Sequence, residues 1–402
     1  MDFNYKCIDC GAEYSSDKII YICPKCKEKQ TPGEFQKGVL QTKLDEDYLK
    51  FLSRKSEISP DDFSIYKIPY SESYPVGNTP LISPESLRRI TGFKHLYFKN
   101  DSTNPSGSLK DRASQLVAAQ AIYHKEKTVA LASTGNAGSA MACAGAAYGL
   151  DIVLFVPESA PKAKLIQSLL YGAKVIPIKG TYDDAFRLSI EFTNMYGGIN
   201  RNTAYNPLTI EGKKTVSIEV YNQLKCNPPD IVYLPVGDGV IYSGVYKGFS
   251  DLQEAGLIEN IPQIIGVQSA GSNAISRAFQ AGKMKVIEFA NTIADSISVA
   301  SPACGRMAVK YLKICKGWIA EVTDDEISKA QLQLCRDSGI FVEPAAAASW
   351  AGFLKDRAKL DKDKTIVVLL TGIGFKDMKA VENKVSIPGS IKPEIKEVEK
   401  LF

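Results

Sequence analysis

Residues 104–112 read Asn-Pro-Ser-Gly-Ser-Leu-Lys-Asp-Arg and join a β-like run at 96–99 to a helix-like run at 113–120. Lys110 therefore lies where a loop of small residues enters a helix. Small residues let another group approach the backbone, and the helix dipole together with Arg112 would lower the pKa of the Lys110 amine. A lysine with a lowered pKa can attack a carbonyl and form a Schiff base. The alternative is a solvated lysine that caps an ordinary helix.

The composition is that of a globular protein with a sizeable core. The chain has 402 residues, of which 45% are hydrophobic, and this length favours more than one domain. The net charge of +4 comes without a block of lysine or arginine, which favours a small anionic ligand and argues against nucleic acid as a partner. No apolar run approaches the length of a membrane span, and the N-terminus lacks a signal peptide's apolar core. We therefore expect a cytoplasmic protein that does not bind a membrane.

Four of the nine cysteines form two Cys-x-x-Cys pairs, Cys7 with Cys10 and Cys23 with Cys26, separated by 12 residues. This is the ligand layout of a small zinc ribbon, in which four thiolates close a tetrahedron around a structural Zn²⁺ and leave no open position for catalysis. The alternative is a chance pairing of reduced cysteines. The spacing predicts a zinc ribbon over residues 1–35 with these four thiolates as the metal ligands.

Beyond residue 94 the chain alternates apolar runs with helix-like stretches. This alternation predicts parallel sheets covered on both faces, with a functional cleft at the carboxyl ends of their strands. The expected fold class is α/β, with two doubly wound α/β domains and the small N-terminal zinc ribbon. The two series of predicted strands lie at 128–132, 152–156 and 174–178, then at 231–236, 264–268 and 365–370. The expected domains after the ribbon are a small domain at 94–205 and a large domain at 36–93 and 206–402.

Three further loops join the Lys110 loop as candidates for the site. Residues 133–138, Ser-Thr-Gly-Asn-Ala-Gly, offer hydroxyls, an amide and backbone N–H groups at a helix start, which suit a carboxylate, although they could also be a simple helix cap. Residues 235–241 end a strand in Gly-Asp-Gly and enter a helix, the outline of a phosphate cradle. It is not a full dinucleotide fingerprint, because Tyr242 takes the third glycine's place. Thr371 places a hydroxyl at the end of another strand.

Together these loops resemble those of the fold-type II pyridoxal-phosphate enzymes, the tryptophan-synthase-β-like group, and most of all those of its threonine synthase-like members. The resemblance runs in the family's order over most of residues 70–380, and a zinc-ribbon-like start also occurs in some members. It is carried by residues 104–112, 132–138, 206–207, 211–215, 235–237, 341–345 and 371–377.

The resemblance implies pyridoxal 5'-phosphate as the cofactor and a role for each loop. Lys110 would hold the cofactor covalently and then move protons at Cα and Cβ. Asn136 would donate to the cofactor's ring hydroxyl oxygen, and Thr371 would meet the pyridine nitrogen with a neutral hydroxyl, which suits elimination and replacement chemistry. The cofactor phosphate would be bound by the backbone N–H groups of Gly237, Asp238, Gly239, Val240 and Ile241. The substrate carboxylate would be held by Ser133, Thr134, Gly135, Asn136 and Ala137.

The sequence departs from the family's pattern near the expected substrate. Thr209 stands where the family has an arginine that pairs with a substrate phosphate, and a threonine cannot make a charged, bidentate contact. Ile373 and Leu109 replace a histidine and a phenylalanine, and Asp238 adds an acid to the cradle. A phosphorylated substrate would therefore need its charged contact from elsewhere, and the nearby candidates are Lys162, Lys164, Arg201 and Lys213.

The function that the resemblance implies is a pyridoxal-phosphate-dependent lyase of the threonine synthase kind, which converts O-phosphohomoserine and water to threonine and phosphate. An ammonia-lyase, or a β-replacement enzyme, acting on serine, threonine, diaminopropionate or a related amino acid is the alternative. Either enzyme would take a small-molecule amino acid, and we expect a homodimer. A zinc-dependent interaction module with an inactive enzyme-like domain is a third reading, against which the intact Lys110 and phosphate cradle argue.

Overall fold

The computed structural model describes residues 3–69, 74–382 and 384–401. Across these ranges the strands form three separate sheets. In chain order they are β1 (Phe3–Cys7), β2 (Glu13–Ser15), β3 (Leu40–Leu44), β4 (Leu81–Ile82), β5 (Leu96–Asn100), β6 (Thr128–Ala132), β7 (Asp151–Pro157), β8 (Lys174–Ile178), β9 (Ile199–Asn200), β10 (Ile231–Pro235), β11 (Gln263–Ser269), β12 (Ile319–Val322) and β13 (Ile366–Leu370).

Helices connect most of these strands. In chain order they are α1 (Pro24–Lys27), α2 (Glu46–Leu52), α3 (Glu85–Thr91), α4 (Lys110–Tyr123), α5 (Asn136–Tyr148), α6 (Lys162–Leu170), α7 (Tyr182–Tyr196), α8 (Leu208–Glu211), α9 (Thr215–Gln223), α10 (Val240–Glu254), α11 (Ala274–Ala281), α12 (Gly305–Ile314), α13 (Asp324–Ser338), α14 (Pro344–Asp356), α15 (Lys379–Glu382) and α16 (Ile395–Glu399). Within the described ranges none of the helices is long and apolar enough to span a membrane.

The N-terminal sheet is antiparallel and has the order β2-β1-β3. β3 pairs with the whole of β1, and Cys7 lies opposite Leu40. The N-terminal unit therefore continues to Leu44, nine residues beyond the end predicted from the cysteine spacing (44 − 35 = 9). The spacing of the ligands could not reveal this strand, because β3 carries no cysteine.

The largest sheet has the order β12-β11-β10-β13-β5-β4 and is parallel except for the edge strand β4. β5 lies between β13 and β4, and its Leu96 and Phe98 are buried in the same core as Trp350 of α14. The predicted small domain began at residue 94 and so included β5. The pairing of β5 with β13 corrects that boundary, because this strand belongs to the largest sheet.

The third sheet is parallel throughout and has the order β8-β7-β6-β9. Its strands come from the part of the chain that the sequence assigns to the small domain. Helices α4 and α5 pack against each other, and α7 packs on β6 and β7. The predicted α/β fold is confirmed, and the strands of both large sheets are parallel except for β4.

The four candidate loops all leave the carboxyl ends of parallel strands. β5 and β13 are neighbours in register, so that Asn100 lies opposite Leu370 and the loops that follow emerge side by side. β10, which precedes the Gly-Asp-Gly loop, is the other neighbour of β13. β6, which precedes Ser133, belongs to the third sheet. The topology therefore brings the loops of both sheets to one cleft.

Candidate active site

The Lys110 loop is fastened directly to the Thr371 loop. The Leu109 N–H donates to the carbonyl of Thr371 at 2.9 Å, and the Ile373 N–H donates to the carbonyl of Gly107 at 3.0 Å. These two bonds link a loop near residue 110 to one more than 250 residues later. They fix the start of α4, and with it Lys110, relative to the carboxyl end of β13.

A buried network of charges holds the first turn of α4. Arg112 donates through Nε to Asp101 at 2.6 Å and through Nη1 to Glu219 at 2.5 Å, while Lys99 donates to the other oxygen of Glu219 at 2.6 Å. All four side chains are buried. Arg112 is thus fully engaged by carboxylates, and its role is to anchor the helix that carries Lys110.

The pKa of Lys110 is lowered from its ordinary value, as the sequence predicted, but for a different reason. The largest cause is the loss of solvent on burial; the carboxylate of Glu343 opposes it, and the positive charge of Arg201 adds to it. The expected effect of Arg112 is absent from these causes, because its charge is balanced by Asp101 and Glu219. Burial therefore makes the Lys110 amine more available as a nucleophile and as a proton acceptor.

A cavity of about 190 Å³ lies between the two large sheets and gathers most of the predicted site. Thr371 is not on its wall, although its carbonyl bonds the residue before Lys110. The predicted residues on the wall are Lys110, Ser133, Thr134, Gly135, Asn136, Ala137, Gly237, Asp238, Gly239, Val240 and Ile241. The other wall residues are Tyr182, Thr203, Lys213, Asp295, Ser296 and Ile297. Of these, only Lys213 was named from the sequence, as a candidate for a phosphate contact.

The loop at 133–137 is shaped by its own serine. The Ser133 hydroxyl oxygen accepts the N–H of Gly138 at 3.0 Å and that of Gly135 at 3.3 Å, which turns the chain into α5. Asn136 is the first residue of this helix. Because the first N–H groups of a helix have no intrahelical acceptor, this turn can receive a carboxylate.

The Glu343 carboxylate binds the side-chain amide of Asn136. The sequence did not single out Glu343 as a candidate site residue. The Asn136 amide donates to both carboxylate oxygens of Glu343, at 3.0 and 2.9 Å. Glu343 is buried, and burial raises its pKa above the ordinary value. Gly372 lies against it so closely that a Cβ there would stand 2.6 Å from Oε1. The stretch 341–345 was part of the resemblance, but nothing in it indicated this contact.

The Gly-Asp-Gly turn is a close-packed backbone cradle. Gly239 has φ of +86° and directly precedes α10, and a Cβ on Gly237 would stand 2.9 Å from the Cα of Ile297. The carbonyl of Asp238 accepts the N–H of Cys304 at 2.9 Å. Burial raises the pKa of the Asp238 carboxyl, while the positive charges of Lys110 and Lys213 oppose that rise.

Two more cations are buried beside Lys110. Lys213 is fully buried on the cavity wall and donates to the carbonyl of Thr209; burial and then the charges of Arg201 and Lys110 hold its pKa well below the ordinary value. Arg201 is fully buried, and Nη1 donates to the Thr203 hydroxyl at 3.0 Å. Among the described residues, its Nε and Nη2 have no hydrogen-bond partner. Burial lowers the pKa of Arg201 to about 10.

The other two candidates for a phosphate contact are placed less well. Lys162 is exposed at the start of α6. Lys164 pairs with Asp295 at 2.6 Å on the rim of a neighbouring cavity of about 370 Å³. Lys376, on the wall of that second cavity, donates to Ser139 at 2.9 Å and Gln167 at 2.8 Å. Of the four candidates, Lys213 is therefore the one that lies on the wall of the Lys110 cavity.

The four predicted metal ligands converge in the N-terminal unit. The sulfur atoms of Cys7, Cys10, Cys23 and Cys26 all lie within 4.8 Å of one another. The pairs Cys7–Cys26 and Cys10–Cys23 are each separated by 3.7 Å. Four thiolates at zinc–sulfur distances of about 2.3 Å define a tetrahedron with edges of about 3.8 Å. The cluster therefore has the dimensions of a four-thiolate metal site.

Comparison with known proteins assigns the class. Residues 72–372 match the family of pyridoxal-phosphate dependent enzymes, and the chain belongs to this family. The threonine synthase of Methanosarcina acetivorans is 35% identical over 94% of this chain and 93% of its own, and that of Methanocaldococcus jannaschii is 34% identical over 92% of each. Among solved structures, a threonine deaminase from Solanum lycopersicum shares the fold with a TM-score of 0.66 at 23% identity, covering 90% of this chain and 94% of its own.

The residues present fit a pyridoxal phosphate. The cofactor carries an aldehyde and a phosphate dianion, and the cavity offers a lysine with a lowered pKa beside a glycine-rich turn at a helix start. Lys213, on the same wall, adds a further basic side chain near the turn. A cavity with this charge is suited to an anionic ligand.

Proposed function

We propose that this chain catalyses the threonine synthase reaction, in which O-phosphohomoserine and water give threonine and phosphate. The observation that carries the proposal is the position of Lys110 between two anion-binding turns on one cavity wall, the 133–137 loop and the 237–241 cradle. The two curated relatives support it, because their similarity covers more than nine-tenths of this chain. The amino-acid substrate has a carboxylate for the first turn, and the cofactor has a phosphate for the second.

Each side chain has a distinct part in this reaction. When bound, the cofactor supplies an electron sink that stabilises negative charge on the substrate carbons. Lys110 takes a proton from Cα and then one from Cβ, and it returns protons to Cγ and Cα, which its lowered pKa permits. The 133–137 turn orients the substrate carboxylate, and Glu343 keeps the Asn136 amide in place. The ester C–O bond breaks, phosphate leaves with the bonding pair, and water supplies the hydroxyl group at Cβ.

Lys110→Ala tests the proposal, with Lys179→Ala, an exposed lysine, as the matched control. The Lys110 variant should lose the visible absorption of the lysine-bound cofactor and the release of phosphate from O-phosphohomoserine together. The control should keep both. Normal turnover by Lys110→Ala would refute the assignment.

The alternative, an ammonia-lyase or β-replacement enzyme, is favoured by Thr209, which removes one expected phosphate contact. Wild-type protein should therefore be offered O-phosphohomoserine, serine, threonine and diaminopropionate side by side. Phosphate and threonine release from the first supports the proposal. Ammonia release from the others, without phosphate release from the first, supports the alternative.

We also propose that the four-cysteine cluster holds a structural Zn²⁺, supported by the 3.7 Å sulfur separations. Metal analysis of the purified protein should find one zinc per chain, and Cys7→Ser should lose it. The homodimer and the cytoplasmic location stay predictions, and light scattering on the purified protein tests the first of them.

A further inference from the structure

The carboxylate-binding turn at 133–137 starts from Ala132, the last residue of β6. Ala132 is buried, and it immediately precedes the turn in the chain. The pairing of β6 with β9 ends two residues earlier, where Ala130 lies opposite Asn200 (132 − 130 = 2). β9 therefore offers no strand partner to the N–H and the carbonyl of Ala132. Buried backbone groups without partners are costly, so other parts of the chain must satisfy them.

The Asn202 side chain takes the place of a strand partner for the Ala132 N–H. Asn202 lies just after β9 and is fully buried, and its Oδ1 accepts the Ala132 N–H at 2.7 Å. Because a backbone N–H can only donate, the oxygen of the amide and not its nitrogen must face it. The nitrogen donates to the Ser189 hydroxyl of α7 at 2.7 Å, which fixes the orientation of the amide. Asn202 is followed by Thr203, on the wall of the Lys110 cavity.

Tyr182 binds the other polar group of Ala132. Its hydroxyl donates to the Ala132 carbonyl at 3.2 Å, and its half-exposed side chain lies on the cavity wall. Tyr182 is the first residue of α7, and a capping box fixes this helix start. In the box, the Asp184 N–H donates to the Thr181 hydroxyl at 3.2 Å, and the Thr181 N–H donates to the Asp184 carboxylate at 2.9 Å. Tyr182 therefore reaches Ala132 from a well-fixed helix end.

We propose that Asn202 and Tyr182 are positioning residues for the carboxylate of the substrate. Both act through Ala132, because the orientation of its peptide groups sets the direction in which the N–H groups of the 133–137 turn point. This inference rests on the proposed function, since it names the residues that place its carboxylate-binding turn. The ligand class is an α-amino acid with a free carboxylate. Because the turn holds this carboxylate before and during the reaction, loosening it should raise KM more than it lowers kcat.

The test uses holoenzyme of wild type, Tyr182→Phe and Asn202→Ala, with Tyr196→Phe as the control, because Tyr196 is exposed at the other end of α7. The probes are L-threonine and (R)-1-amino-2-propanol, which differ only in the carboxylate. Their dissociation constants are measured from the visible absorption of the bound cofactor. Wild type and the control should bind L-threonine more tightly than the amine. Tyr182→Phe should lower this preference about fivefold, the loss expected for one neutral hydrogen bond, and Asn202→Ala should lower it further.

The comparison with the amine separates a positioning role from a merely structural one. Asn202→Ala leaves a buried N–H without an acceptor and should melt at a lower temperature. Tyr182→Phe keeps the ring and should melt close to wild type, so it is the decisive variant. Its KM for O-phosphohomoserine should rise about fivefold while kcat stays within about twofold. An equal loss of affinity for L-threonine and the amine in Tyr182→Phe would overturn the inference, as would a wild type that does not prefer the carboxylate.

The proposed function can fail separately. If wild type releases no phosphate from O-phosphohomoserine, yet the preference for the carboxylate falls in Tyr182→Phe and Asn202→Ala, the positioning role stands and the reaction assignment falls. If wild type turns over O-phosphohomoserine, and both variants keep the wild-type KM and the preference for the carboxylate, the reaction stands and the positioning role falls.

Discussion

Removing the Arg306 side chain should weaken cofactor binding, although this residue lies outside the cavity. Asp9, between the first two cysteines, accepts Arg306 Nε at 2.7 Å through Oδ1 and the Gly38 N–H at 2.7 Å through Oδ2. Arg306 lies in the first turn of α12, and Cys304, just before that helix, donates its N–H to the carbonyl of Asp238 in the cradle. The cysteine cluster is therefore connected to the phosphate cradle through one helix end.

The size of the effect follows from the exposure of the ion pair. The side chains of Arg306 and Asp9 are 26% and 16% exposed, so solvent screens part of their attraction. Such a pair contributes about 1 kcal/mol at most. If all of this energy stabilises the cradle, Arg306→Ala raises the dissociation constant of the cofactor by about fivefold. Cys7→Ser, which disrupts the whole cysteine cluster, should raise the dissociation constant of the cofactor by more than this factor.

The assay is a titration of cofactor-free protein with pyridoxal phosphate, followed by visible absorption. Arg187→Ala, which removes an exposed ion pair with Glu191 in α7, is the matched control and should leave the dissociation constant unchanged. Equal dissociation constants for wild type, Arg306→Ala and Cys7→Ser would refute the connection. The N-terminal unit would then be an independent module.

Three further changes test the interior of the site. Glu219→Gln leaves the buried Arg112 facing a neutral partner and should lower the free energy of unfolding by about 3–5 kcal/mol in urea. Burial raises the pKa of Asp111 from 3.8 to about 6, so the folded protein holds this proton more tightly than the unfolded chain. Stability from this group is complete below about pH 4 and is lost as the pH rises through about 6, and Asp111→Asn should remove that part of the slope. Gly372→Ala puts a methyl group 2.6 Å from Glu343 Oε1 and should lower kcat/KM up to about 100-fold with little unfolding.

The sequence predicted the parts of the fold that depend on neighbouring residues. The apolar runs at 128–132 and 174–178 are strands with the predicted bounds. The first is almost entirely buried and leaves a continuous apolar signal, and the second is an edge strand whose valine and isoleucine residues favour the extended conformation. The sequence carries no comparable signal that tells which other strand a given strand pairs with. β5 lies before the small sheet in the chain and pairs with β13, far away in sequence, so its sheet could be read only from the structure.

The candidate site also has parts that local motifs predict and parts that only the fold reveals. Lys110 and the turns at 133–137 and 237–241 are local motifs, and the structure brings them to one cavity wall. Glu343 accepts hydrogen bonds from Asn136 across 207 residues of the chain, and no local sequence pattern predicts this contact. The largest cause of the lowered Lys110 pKa, burial, likewise depends on residues outside the local motif. The neighbour in sequence, Arg112, is neutralised by distant carboxylates that the motif does not contain.

Thr209 shows why a motif read one position at a time can mislead. The missing arginine argues against a phosphorylated substrate only if charge must come from that position. Thr209 is fully buried and its hydroxyl is bonded to backbone, whereas Lys213, four residues later (213 − 209 = 4), lies on the wall of the cavity. A basic side chain on the wall of a cavity can meet an anionic group of a ligand. The threonine at position 209 therefore does not by itself exclude a phosphorylated substrate.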